Sequence, residues 1–117
     1  MLVTDAATPA GAAPGRYLFA DQPVELTADG RVVLAGTDRL AGSGLSMNRG
    51  VANLMRLAGL SLDEALRMAT VNAARAGQVA THAGDRVEFR LTAAGDVEVV
   101  RTWLAGRLIY AGPELPL

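Results

Sequence analysis

The chain has 117 residues, room for one domain of ordinary small size. It contains no Cys, no Lys and one His, with 11 Arg against 12 Asp plus Glu for a net charge of −1. Within this chain that excludes disulfides, thiolate nucleophiles, Cys-based metal sites, the P-loop, Schiff-base lysines and any site with two His ligands.

The arginines are scattered, so no nucleic-acid footprint is expected. No apolar run approaches the length of a membrane span. The N-terminus lacks the basic and apolar regions of a signal peptide, and the expected setting is the cytoplasm. Leu, Val, Ile and Phe number 30 and Ala 22, which is enough apolar material for a core.

The first expected element is a buried strand, Met1-Leu2-Val3-Thr4-Asp5, with the continuous apolar look of strands in parallel sheets. Pro9, Gly11, Pro14 and Gly15 make Ala6 to Gly15 a loop. Val24 and Leu26 alternate with Glu25 and Thr27, Asp29-Gly30 supplies a type I′ turn, and Arg31 to Leu34 return, giving a hairpin. A polar loop is expected from Gly36 through Gly44.

Two helices follow. Met47, Val51, Leu54, Met55 and Ala58 recur at helical spacing, and Gly59 stands where a left-handed cap belongs. Ser61-Leu62-Asp63-Glu64 reads as a capping box opening a second helix, with Leu62, Ala65, Leu66 and Ala69 as its apolar stripe. A further helical turn runs from Asn72, as cap, to Gly77 as stop. Val87, Phe89 and Leu91 then alternate with polar residues. Ala93 to Asp96 turn into Val97–Leu104, and Ala105-Gly106 turn into a last strand, Arg107 to Tyr110.

Three places could carry chemistry. Asp5 follows an apolar strand, at the edge where parallel α/β proteins place catalytic groups, although an Asp there also commonly caps a loop. Leu40-Ala41-Gly42-Ser43-Gly44 could bring backbone N–H groups close to a polar ligand, or could be a connector in which Ser43 or Ser46 caps the next helix. His82 reads as a solvated loop side chain.

Taken together, Leu2-Val3-Thr4-Asp5-Ala6, then Leu40-Ala41-Gly42-Ser43 with Leu45 and Met47, resemble the C-terminal part of the N-acetylglucosamine-6-phosphate deacetylases of the amidohydrolase superfamily. The runs Gly50 to Leu54, Leu62 to Thr70 and Asn72 to Ala76 continue the likeness, and Val100 to Tyr110 resembles the closing strand pair of the family's small β-domain. The sequence departs from the family pattern at Asn72-Ala73-Ala74-Arg75, where the family has a proline, and at Ala83 to Glu88.

The resemblance implies an α/β fold (α+β as an isolated piece). Residues 1–80 would be the end of a metal-dependent-hydrolase TIM barrel, with its last strand, a hairpin insertion and the closing helices. Residues 81–117 would be strands of a small β-sandwich. It implies hydrolysis of the acetamide of N-acetylglucosamine 6-phosphate to acetate and glucosamine 6-phosphate. Asp5 would be the catalytic group that activates a metal-bound water and then protonates the departing amine. Leu40, Ala41, Gly42 and Ser43 would contact the amino-sugar phosphate.

A complete barrel takes about 250 residues, and the family's zinc or iron ligands lie on earlier strands. No metal is therefore expected on this chain alone, and the isolated chain is expected to be inactive. The expected partners are the missing N-terminal barrel portion, the sugar phosphate and further copies in a homo-oligomer, with no nucleic acid and no membrane. The alternatives are a non-catalytic α+β module that pairs with another chain, or a piece of a different amidohydrolase.

Overall fold

The computed structural model describes residues 1–113. Residues 114–117, the end of the expected β-domain stretch, lie outside them. The elements in chain order are β1 (Gly15–Phe19), β2 (Gln22–Leu26), β3 (Val32–Leu34), β4 (Leu40–Gly42), α1 (Met47–Ala58), α2 (Leu62–Ala69), α3 (Val71–Gly77), β5 (Arg86–Leu91), β6 (Val97–Leu104) and β7 (Arg107–Ala111). They fall into two compact units: Val3–Gly50, and Met1–Leu2 together with the chain from Val51 onward.

In the first unit β1 to β4 form an antiparallel sheet in sequence order. The turn between β1 and β2 is Ala20-Asp21, with φ of 48° and 62° between the paired Phe19 and Gln22. Two successive positive φ values give the type I′ geometry that matches strand twist. The expected I′ turn at Asp29-Gly30 is not one, because of the two residues only Gly30 has a positive φ. There the Gly30 amide donates to the Thr27 carbonyl at 3.0 Å and the Thr27 amide to the Arg31 carbonyl at 2.9 Å, a type I turn closed by a left-handed glycine. Ala7, Val24, Leu26 and Val32 are the core of this unit, with Tyr17, Phe19 and Ala41 packed on it. Val24 and Val32 are fully buried, and burial of each contributes about 1.5–3 kcal/mol.

Three further expectations for this unit are corrected. Residues 1–5 form no strand: the left-handed Asp5, at φ 48°, breaks the extended run, and its neighbour Ala6 makes only a single bridge. Leu40–Gly42, expected as loop, is β4, paired to β3 around a bulge that leaves Ala41 unopposed. Gly15, expected to end a loop, opens β1.

In the second unit, α2 opens as expected: the Ser61 hydroxyl accepts from the Glu64 amide at 3.2 Å while Glu64 accepts from the Ser61 amide at 2.8 Å. Gly59, at φ 67°, follows the end of α1. The last short helix begins at Val71, not Asn72. The preceding Thr70 supplies no side-chain cap, because its hydroxyl donates to the Leu66 carbonyl at 2.7 Å. Gln78, at φ 52°, takes the left-handed stop expected of Gly77.

Strands β5, β6 and β7 form an antiparallel sheet, with Ala105-Gly106 as the I′ turn into β7. Its hairpin turn Thr92-Ala93-Ala94-Gly95-Asp96 repeats the hydrogen bonds of Thr27 to Arg31. Phe89 and Val97 pack with Leu2, Leu54, Leu62 and Leu66 around Val51, Ala52 and Ala65. In the cross-strand register Arg90 opposes Glu98, Glu88 opposes Arg101 and Arg86 opposes Trp103. The first two are ion pairs, and the Arg86 guanidinium lies 4.0 Å from the Trp103 ring centre. Such half-exposed pairs contribute under about 1 kcal/mol each.

Candidate functional site

The two segments singled out in the sequence meet in the first unit. Ala6 forms an isolated parallel bridge with Ser43, and the Ala7 amide donates to the Ser43 carbonyl at 2.8 Å. Asp5 is thus one residue from a fixed junction with the end of β4. Its side chain is exposed, and no described residue hydrogen-bonds or ion-pairs with it. An Asp tolerates a left-handed φ better than most residues, and a non-glycine held there is a reason to look for function.

The glycines of the second segment are required by the protein itself. A Cβ on Gly42 would lie 2.8 Å from the Ala7 Cβ, and one on Gly44 would run into the Gly30 carbonyl. The Ser43 hydroxyl accepts from the Leu45 amide at 3.1 Å and shapes the turn before α1. Leu40 and Ala41 sit on β4, with Ala41 packed on the core and Leu40 largely exposed.

Two hollows flank this junction. A cleft of about 560 Å³ is lined by Thr4, Ala6, Thr27, Gly44, Leu45 and Arg49, among others. A depression of about 200 Å³ is lined by Leu40, Gly42 and Ser43 with Asp29, Arg31 and Arg49. Leu40, Gly42 and Ser43 therefore share a surface, whereas Ala41 and Asp5 line neither hollow.

Asp29 is committed to its turn: the Thr27 hydroxyl and then the Arg31 guanidinium hold its carboxyl below the usual range. Arg49 borders both hollows, is exposed and has no ion-pair partner among the described residues. The sequence offered no signal for it, since it is one of 11 scattered arginines.

His82 is exposed. Its backbone forms a turn with Asp85, whose carboxylate accepts from the His82 amide at 2.9 Å and from the Ala105 amide at 2.8 Å. Those two donors, Ala105 first, hold the Asp85 carboxyl below its ordinary range. Among the described residues no group of three or more His, Asp or Glu side chains is placed to hold a metal ion, so a metal ligand set does not fit here. No helix among them is long and apolar enough to cross a membrane.

No protein-family model matches the chain. It is 27% identical over 119 residues to the N-acetylglucosamine-6-phosphate deacetylase of Vibrio furnissii, a match covering 98% of this chain and 29% of that protein. It is 39% identical over 75 residues to a putative N-acetylgalactosamine-6-phosphate deacetylase of Escherichia coli K12, covering 64% of this chain and 44% of that protein.

Among solved structures, the N-acetylglucosamine-6-phosphate deacetylase of Pasteurella multocida matches with a TM-score of 0.71 and 29% identity over 94% of this chain and 29% of its own. The Mycobacterium smegmatis enzyme matches with a TM-score of 0.69 and 28% identity over 93% of this chain and 30% of its own. The chain thus spans less than half the length of each relative. In sequence and in fold, it is similar to a part of the N-acetylglucosamine-6-phosphate deacetylases.

Proposed function

We propose that this chain supplies the C-terminal part of an amino-sugar-phosphate deacetylase, which hydrolyses the acetamide of N-acetylglucosamine 6-phosphate to acetate and glucosamine 6-phosphate. The observation that carries the reading is the likeness over nearly the whole chain in both sequence and fold. In this reading residues 1–80 complete the end of a TIM barrel and residues 81–117 contribute strands to a small β-sandwich, in a cytoplasmic, homo-oligomeric enzyme.

Asp5 is the proton carrier. Its carboxylate takes a proton from the attacking water as the water oxygen bonds to the acetamide carbon. The resulting acid then donates that proton to the amine nitrogen as the C–N bond breaks, leaving acetate and the free amine. An exposed carboxylate that no described residue engages is available for such a transfer. Leu40, Gly42 and Ser43 form the surface beside the sugar phosphate, with Ala41 of the same segment packed on the core beneath it. The divalent zinc or iron ion of the full-length enzymes would be held by residues outside this chain, and the roles read for this chain are proton transfer and substrate contact.

The test is a chimera in which this chain replaces the matched stretch of the Vibrio furnissii deacetylase. Release of glucosamine 6-phosphate by the chimera, with none from the 117-residue chain alone, is the expected result. A folded chimera without turnover would overturn the reading and favour a non-catalytic module.

A further inference from the structure

We propose that Gly42 is a positioning residue for Asp5, acting through Ala7. This deepens the reading of Asp5 as the proton carrier and rests on it for its functional meaning, though not for its geometry. Ala7 is 6% exposed and packs with Val24, Leu26 and Val32. Its methyl lies where it would stand 2.8 Å from any Cβ on Gly42. A methyl on Ala7 has no torsion by which to move aside, so only backbone displacement relieves such a contact.

The same Ala7 is tied by its amide to the Ser43 carbonyl, and Ala6 bridges Ser43. The absence of a side chain at Gly42 thus sets how closely residues 6 and 7 approach β4. Asp5 is the next residue upstream and is held at φ 48°. The close approach that Gly42 permits therefore fixes the backbone on the C-terminal side of this left-handed residue. The glycine of this motif serves a protein contact two residues from the catalytic carboxylate, rather than a ligand contact alone.

The test reads the Asp5 backbone directly by nuclear magnetic resonance on the 117-residue chain. A left-handed residue gives a strong intraresidue amide–Hα cross-peak. Gly42→Ala is expected to lose that cross-peak at Asp5 while the Val24 and Val32 methyl signals keep their native dispersion, and the double variant Ala7→Gly/Gly42→Ala is expected to regain it. Retention of the Asp5 signature in Gly42→Ala, or its loss without recovery in the double variant, overturns the proposal.

If Gly42→Ala fails to fold, a double variant that folds with the Asp5 signature supports the proposal, and one that does not overturns it. None of these outcomes depends on turnover. Failure of Asp5 as the proton carrier would show instead as undiminished activity of Asp5→Asn in the chimera.

Discussion

The Ala7 amide donates to the Ser43 carbonyl at 2.8 Å, joining the segment that carries Asp5 to the end of β4. Thirty-five residues and four strands separate these two positions in the chain, yet they are the pair on which the candidate site is built. The contact is made by backbone atoms, and the small buried Ala7 side chain lets the two segments approach closely enough to form it.

The left-handed φ of Asp5 makes a stability prediction. Asp5→Ala is expected to destabilise the chain by about 1 kcal/mol, because a Cβ-bearing residue without the Asp side chain's tolerance of this region must hold the same strain. Asp5→Gly is expected to be at least as stable as the parent, since glycine takes this conformation freely. Urea denaturation of the two variants measures both. An Asp5→Gly variant less stable than Asp5→Ala would show that the strain is absent.

Gly44 tests the other close approach. Its missing Cβ would run into the Gly30 carbonyl, a backbone atom held by the Thr27 to Arg31 turn. Gly44→Ala is therefore expected to cost about 1–3 kcal/mol by overpacking, measured as a lower urea midpoint at unchanged slope. Gly36→Ala is a contrasting control: it meets no atom within 4 Å but carries φ 77°, so its cost is purely conformational.

Acid should loosen the chain by identifiable groups. The Ser61 amide and hydroxyl hold Glu64 below its ordinary value, and the Ala105 and His82 amides do the same for Asp85. A carboxyl whose folded value is depressed binds protons more readily unfolded. Its stabilisation is therefore complete above the ordinary carboxylate range and is lost as pH falls through the lowered folded value. Melting temperature is expected to be flat near neutrality and to fall below about pH 4. Asp85→Asn should flatten that fall, and an unchanged acid limb in this variant would contradict the assignment.

What was legible in the sequence was local. Ser61 and Glu64 lie three residues apart and satisfy each other, and Gly59 stops α1 by its own conformation, so both helix boundaries could be read from a few residues. The Ala20-Asp21 turn was illegible because neither residue is glycine. Without that turn nothing marks Arg16 to Phe19 as a strand, and Gly15 reads as the end of a loop rather than the start of β1. Leu40–Gly42 was missed as a strand because its pairing to β3 depends on a bulge at Ala41, which no short pattern announces. The motifs around Asp5 and Ser43 could be recognised as a pair, but their junction could not: a parallel bridge between residues far apart in the chain leaves no periodicity. Arg49, at the rim of both hollows, is distinguished only by where the fold puts it.

Asp5 is proposed to carry the proton in amide hydrolysis. The most direct measurement of that role is the steady-state release of glucosamine 6-phosphate by the chimera with Asp5 and with Asp5→Asn, which keeps size and tolerance of the left-handed region while removing the base. A fall in kcat of about 10²–10⁴-fold at nearly constant KM is the predicted result. An Asp5→Asn chimera with the kcat of its parent would contradict it.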